Sequence, residues 1–192
     1  MYRPHLLTLL ACGFCAINSH AAQFRVDSRN STAYFEVGYF GGGLVKGALD
    51  HITGAVEYDA ASKLGSADIN FDISTVETGS NFVNGFIKSR HVFDTAAYPS
   101  MQFHADRFEF QGGQLTGVKG DLTLHGVTKP VLMDVKRFVC ADVNMAEQAR
   151  HQCTGNFKTT VVRSNFGMHS FSSIVDDEVR ITVDLTLERL QP

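Results

Sequence analysis

The chain has 192 residues, 17 basic against 20 acidic side chains, and a formal net charge of −3. That balance supplies neither the basic footprint of a nucleic-acid binder nor a polybasic membrane anchor. Fifteen Phe with no Trp, 17 Gly and only four Pro describe an apolar, turn-rich chain without a Pro-rich linker, repeat or low-complexity tract.

In chain order, the first element is a leader. Arg3 gives a short positive start, Leu6 to Ile17 is apolar but too short to span a bilayer comfortably, and Ser19-His20-Ala21-Ala22 places small residues at a cleavage position. This predicts a secretory signal peptide over residues 1–22, cut after Ala21 or Ala22, and a periplasmic mature protein. A lipoprotein signal ending at Cys12 would leave only Leu6 to Leu10 as its apolar core and is the lesser reading. Residues 23–192 keep 16 basic and 20 acidic groups, enough chain for one domain, and no further segment apolar enough to cross a membrane, which predicts a soluble protein.

The mature chain reads as strands apolar on one side. Strands are expected at Ser31 to Phe40, at Val45 to Tyr58 with a break near Asp50, and at Ala67 to Ile73, where Ala67, Ile69, Phe71 and Ile73 alternate with polar residues. Gly79 to Phe93 departs from that rhythm: Phe82, Val83, Phe86 and Ile87 follow helical spacing behind Ser80 as N-cap, ending before Tyr98-Pro99. Such a helix covers one end of a sheet structure, or walls a cavity, or both. Strand rhythm resumes over Met101 to Phe110, where the apolar phase switches from Met101, Phe103 and Ala105 to Phe108 and Phe110, calling for a bulge near Asp106. Leu115 to Leu124 and Val131 to Val139 flank turn chemistry between Gly126 and Pro130. Thr154 to Arg163 follows, and Val179 to Glu188 alternates without a fault.

Cys12 and Cys15 leave with the leader, so Cys140 and Cys153 remain as an even pair. In an oxidising compartment this predicts a structural disulfide. A metal site is the weaker reading, since His151 beside Cys153 does not complete a tetrahedral set, and a redox pair would more usually be C-x-x-C at a helix start. About eight strands with one wet and one dry face fit either a sandwich or a closed barrel.

The run Gly120-Asp121-Leu122-Thr123-Leu124-His125-Gly126-Val127-Thr128-Lys129-Pro130-Val131 resembles the signature of the YceI family, extracytoplasmic lipocalin-like barrels associated with polyisoprenoid and related amphiphile binding. The resemblance spans nearly the whole mature chain. It includes Lys88-Ser89 to Phe93, then Tyr98-Pro99-Ser100-Met101-Gln102-Phe103, and Ser164-Asn165-Phe166-Gly167-Met168, which is similar to the family's S-D-F-G-M. The Cys140 and Cys153 pair also resembles one found in a subgroup. Departures are Tyr39 where the family often has His, the Gly41-Gly42-Gly43 loop after it, and Val83-Asn84-Gly85-Phe86-Ile87 in place of an R-D-x-H-L run. Polar head-group contacts are therefore not carried over at those positions.

The resemblance implies an all-β, antiparallel lipocalin-like barrel of about eight strands with a short helix near one end, holding a polyisoprenoid, quinone tail or other long-chain amphiphile. Cavity-lining candidates are Val37 and Tyr39 on the first long strand, with Tyr39 as the polar handle, and Phe71 on the Ala67 to Ile73 strand. Phe82, Phe86, Ile87 and Phe93 follow from the helical segment, and Phe103, Leu124 and Val183 from later strands. The alternative is a filled barrel serving as a stress-response or membrane electron-transfer partner. No cofactor or metal is expected, and no enzyme: the six mature histidines, among them His91, His104 and His125, join no nucleophile, metal or nucleotide motif.

Overall fold

The computed structural model describes residues 21–59, 62–145 and 148–190. The expected leader therefore lies outside the described residues except for its last two positions. The described residues form ten strands and one α-helix: β1 Ala22–Val26, β2 Thr32–Tyr39, β3 Gly43–Leu49, β4 Ile52–Asp59, β5 Leu64–Asp72, α1 Asn81–Lys88, β6 Ser100–Gln111, β7 Gln114–Leu124, β8 Val127–Met145, β9 Gln148–Val162 and β10 Val175–Arg189.

All strand pairs are antiparallel, and they close into a barrel of eight wall positions. The ring runs β1-β4-β5-β6-β7-β8-β9-β10 and returns to β1 through Phe24↔Arg189 to Val26↔Leu187. β1 and β2 are two halves of one wall strand, as are β3 and β4, so β10 meets β1 at one end and β2 over Asp184↔Thr32 to Val175↔Tyr39 at the other. The break between β1 and β2 is chemical. The Asp27 carboxylate accepts from the Arg29 N–H at 3.1 Å and from the Asn30 amide at 2.7 Å, turning the chain through Ser28–Asn30. Buried Ser31 then sews the break to β10 by accepting from the Thr186 N–H at 3.0 Å. The break near Asp50 falls between Leu49 and Ile52, as its sequence signals predict.

The bulge expected near Asp106 is present: the β6–β7 register shifts between Ala105 and Arg107. It carries Phe108 and Phe110 back to the inner side after Met101, Phe103 and Ala105, which preserves an apolar interior along a 12-residue strand. The β7–β8 reversal is tighter than the Gly126 to Pro130 cluster suggests. His125 and Gly126, with φ of 52° and 75°, form a two-residue turn between paired Leu124 and Val127, the left-handed pair that matches strand twist. Pro130 lies inside β8, opposite Asp121, where β8 is paired with β7 and has not yet met β9. An edge of this kind tolerates a residue without an N–H. β8 and β9 are longer than expected, and their ladder extends to Met145↔Gln148.

α1 starts at its expected cap, with the Ser80 hydroxyl accepting from the Val83 N–H at 3.4 Å, but it stops at Lys88 rather than continuing to Phe93. The chain then folds through turns, with Phe93 N–H donating to the Ile87 carbonyl and Asp94 at φ 47°. No helix among the described residues is long and apolar enough to cross a membrane. The interior has two parts. Near α1 it is solid: Ile52, Ile73, Val76, Leu124, Phe166 and Ile87 are buried and pack as one cluster. Toward the opposite end it opens.

Candidate functional site

A cavity of about 290 Å³ occupies the half of the barrel away from α1. Its wall comes from inward positions of almost every strand: Phe24 of β1, Val56 and Tyr58 of β4, Phe71 of β5, Phe103 and Phe108 of β6, Leu122 of β7, Met133 of β8, Phe157 of β9 and Val183 of β10. Side chains alternate across a strand, so the residues that fill the core and those that line the cavity are the same phase of the same pattern. The difference is depth along the barrel axis.

The cavity approaches the surface where the wall is incomplete. β7 pairs with β8 only as far as Gly117↔Asp134, while β8 continues to Met145 with β9 as its sole partner among the described residues. Gln114 and Leu115 stand on one side of that parting, Phe138 and Cys140 on the other, and all four line the cavity. A sheet wall without ladder bonds is where a chain-like guest could pass with least disruption.

Polar groups are few. Among the lining residues only Tyr58, Gln114 and Thr159 carry side-chain oxygen or nitrogen. The Tyr58 ring stacks on Phe110 at 6.0 Å and meets Phe108 edge-on at 6.2 Å. Desolvation by the wall raises its phenol pKa above the ordinary value of 10.0, with the charge of Asp59 adding to the rise. It therefore stays a neutral hydroxyl at the end of an apolar ring. Among the described residues that line the wall there is no carboxylate, ammonium or guanidinium.

The ten residues singled out from the sequence divide by depth. Phe71, Phe103 and Val183 line the cavity, and the structure brings them together. Leu124 and Ile87 are buried in the solid end, and Phe93 packs half-buried against it. Val37 and Tyr39 belong to β2, beyond the plug, with Val37 half-buried and Tyr39 47% exposed. On α1, Phe82 is 84% exposed and Phe86 turns outward onto Phe171, ring centroids 5.1 Å apart. The helix buries Ile87 and Asn84 instead. Asn84 explains the orientation: its carbonyl oxygen accepts from the Thr78 N–H and hydroxyl at 2.8 and 2.7 Å, and its amide donates to Glu77 at 2.9 Å. Glu77 in turn bridges to Ala48 of β3 through the backbone. Those bonds fix α1 as a cover over the plugged end. Tyr58, rather than Tyr39, is the hydroxyl in the cavity wall. The signal for it was the Val56, Tyr58 alternation of β4, which carries no mark of depth.

A second residue without a sequence signal is Arg163. It is buried where β9 ends, and its guanidinium donates to the carbonyls of Met168, Ser170, Val175 and Asp176 at 2.7 to 3.1 Å. One side chain thus organises the whole loop from Ser164 to Val175. Asp177 clamps the start of the loop by accepting from the Ser164 hydroxyl and N–H, bonds that lower its carboxyl below the ordinary range.

Cys140 and Cys153 are joined by a disulfide. Cys140 and Cys153 lie directly opposite in the β8–β9 ladder, Cα atoms 3.9 Å apart, and both line the cavity. No histidine is among the described lining residues. His51 and His104 are exposed and paired with Asp72 and Asp68, His91 is exposed, and His125 packs on Tyr98 at the tight turn. His151 pairs with Asp142 at 2.8 Å beside the disulfide.

Residues 24–187 match the YceI-like domain. A UPF0312 protein of Vibrio cholerae is 27% identical over 182 residues, covering 91% of this chain and 96% of its own. One from Pseudomonas syringae pv. tomato is 30% identical over 134 residues, 66% of this chain and 69% of its own. Among solved structures, Burkholderia cenocepacia BcnA superposes with a TM-score of 0.67 at 25% identity, covering 84% of this chain and 98% of that one. A polyisoprenoid binding domain from Saccharophagus degradans superposes with a TM-score of 0.62 at 17% identity, covering 87% and 98%.

Proposed function

Because this chain belongs to the YceI-like domain family, we propose that it is a carrier whose barrel encloses part of a long apolar chain, a polyisoprenoid, quinone tail or similar amphiphile. The observation that carries this reading is the cavity: about 290 Å³ of space walled almost wholly by apolar side chains inside a closed barrel. A filled barrel acting only as a stress-response or electron-transfer partner has no need of such space. The polyisoprenoid binding reported for the Saccharophagus degradans domain supports the same ligand class.

Volume sets how much is held. With a methylene taken as about the size of a water, ~30 Å³, the cavity accommodates roughly ten heavy atoms, about two prenyl units. At about 0.8 kcal/mol per CH₂ their burial contributes roughly 8 kcal/mol in transfer terms, before ordering costs of several kcal/mol are deducted. Binding by burial is therefore sufficient without a charged anchor. The rest of a longer chain leaves through the parting between β7 and β8, with the Tyr58 hydroxyl and the Gln114 amide as the nearest polar contacts.

The same reading places the protein in the periplasm, on the strength of the leader pattern from Arg3 to Ala22. The exported chain then begins at Ala22 or Gln23 by intact mass, and a diacylated chain beginning at Cys12 would overturn that placement. Function is tested by organic extraction of the purified protein with mass spectrometry, and by titration with a fluorescent prenyl probe. A co-purifying chain and a saturable site are expected. Phe103→Asp, which puts a carboxylate against the guest without a partner, should reduce affinity at least tenfold, while Thr182→Asp on the wet face of β10 should not. Empty extracts together with no saturable prenyl binding would sink the carrier reading.

A further inference from the structure

The disulfide sits in a larger arrangement. Residues 140 and 142 of β8 point to one face, as do 151 and 153 of β9, and the register sets Cys140 opposite Cys153 and Asp142 opposite His151. A square of two sulfurs, an imidazole and a carboxylate results. Both sulfurs and a His151 ring nitrogen lie within 4.8 Å of one another, and the Asp142 carboxylate takes His151 Nδ1 at 2.8 Å. A disulfide needs no such neighbours.

We infer that this square is a two-state site, a disulfide when oxidised and a zinc-binding Cys140, Cys153 and His151 set when reduced. Tetrahedral zinc, with Zn–S near 2.3 Å and Zn–N near 2.0 Å, holds its ligand atoms roughly 3.5–3.8 Å apart. The three ligand atoms already lie within 4.8 Å of one another, so once the S–S bond is broken the set needs side-chain shifts of only about an ångström or two to reach that spacing. Asp142 supplies the usual outer partner. By occupying Nδ1 it orients the ring, leaves Nε2 for the ion and raises the imidazole's strength as a ligand. Two thiolates and an imidazole select a soft or borderline ion over Mg²⁺ or Ca²⁺. Three protein ligands leave the fourth position open, on the side where both cysteines line the cavity.

The chemistry balances with an external dithiol as reductant. Its two electrons and two protons convert the Cys140–Cys153 bond to two thiols while it leaves as its own disulfide. Zn²⁺ then displaces both thiol protons to solvent. The two states exclude each other, because the ion needs two thiolates and these exist only after the dithiol's two electrons have opened the S–S bond.

The test is anaerobic titration of the reduced protein with Co²⁺, a zinc surrogate whose thiolate bonds give a near-ultraviolet charge-transfer band. One equivalent should develop the band, Zn²⁺ should abolish it, and the oxidised protein should show none. Asp142→Asn should weaken binding by about 10–100-fold, and His151→Ala by at least as much. Both variants retain the disulfide, so their folding is checked by circular dichroism before reduction. Absence of the band from reduced protein that keeps its sheet signal overturns the inference, as does wild-type affinity in His151→Ala. A reduced protein that loses its sheet signal, with or without the ion, overturns it equally.

Discussion

Removing the Cys140–Cys153 bridge acts on the unfolded chain, and its size can be worked from the sequence separation. The bridge closes a loop with separation 13, for which the chain-entropy argument gives about 3 kcal/mol at 25 °C. In the folded barrel the same residues are already opposed by the β8–β9 ladder, which runs on both sides of them from Asp134↔Lys158 to Met145↔Gln148. The native geometry therefore does not depend on the bond. For a domain of this size each kcal/mol moves the melting temperature by about 2–4 °C, so Cys140→Ala with Cys153→Ala should melt roughly 6–12 °C below the oxidised protein. Typical domains hold about 5–15 kcal/mol, so the barrel should remain folded at room temperature. Urea unfolding followed by circular dichroism measures the free energy directly, and the slope should rise because the uncrosslinked chain exposes more surface. Reduced wild type should fall near the double variant. A loss below about 1 kcal/mol would refute the reasoning by showing that the unfolded ensemble already keeps this hairpin closed, and loss of the fold would show that the bridge rather than the ladder holds the wall.

Three further outcomes are expected. Arg163→Met leaves the carbonyls of Met168, Ser170, Val175 and Asp176 without their common donor, and should cost at least about 3 kcal/mol in urea unfolding, with hydrogen exchange accelerating across the Ser164 to Val175 loop. Phe86→Asp should leave prenyl affinity unchanged, since the ring faces outward onto Phe171; a tenfold loss in folded protein would put α1 back into the site. His104 has a pKa raised above its ordinary 6.5, chiefly by its hydrogen bond to Asp68 and then by that carboxylate's charge. Because the folded value is the higher one, the pair's contribution is complete below 6.5 and disappears as pH rises through the folded pKa. In Asp68→Asn the His104 resonance should titrate closer to 6.5 by proton NMR, and the stability gap from wild type should close with rising pH; an unmoved titration would reject the pairing.

How far the fold could be read depended on whether a feature is local. The faultless alternation of β10, the switch of phase at Asp106, the Ser80 cap and the break after Leu49 are each decided by residues within a few positions of one another, so they are written in the chain. The cysteine pair is legible for a similar reason, since Cys140 and Cys153 are the two cysteines beyond the expected leader. Depth along the barrel is not local. Phe103 and Leu124 share an inward phase, yet one lines the cavity and the other the plug, because the strands' stagger on closure sets the level each residue occupies. The helix shows the same limit: periodicity placed Phe82, Phe86 and Ile87 on neighbouring faces, and it was the buried Asn84, held by Glu77 and Thr78, that chose which face turns inward. Tyr39 and Tyr58 are equivalent as sequence, but β2 carries one past the plug while β4 places the other in the wall. The parting beside Leu115 exists because β7 and β8 stop pairing at Gly117↔Asp134 although both strands run on, and the Cys140, Asp142, His151 and Cys153 square because the β8–β9 register sets those pairs opposite. Alternation determined which side of each strand is dry, whereas closure of the ring, which adds up the register of every neighbouring pair, decided where that dry side encloses space.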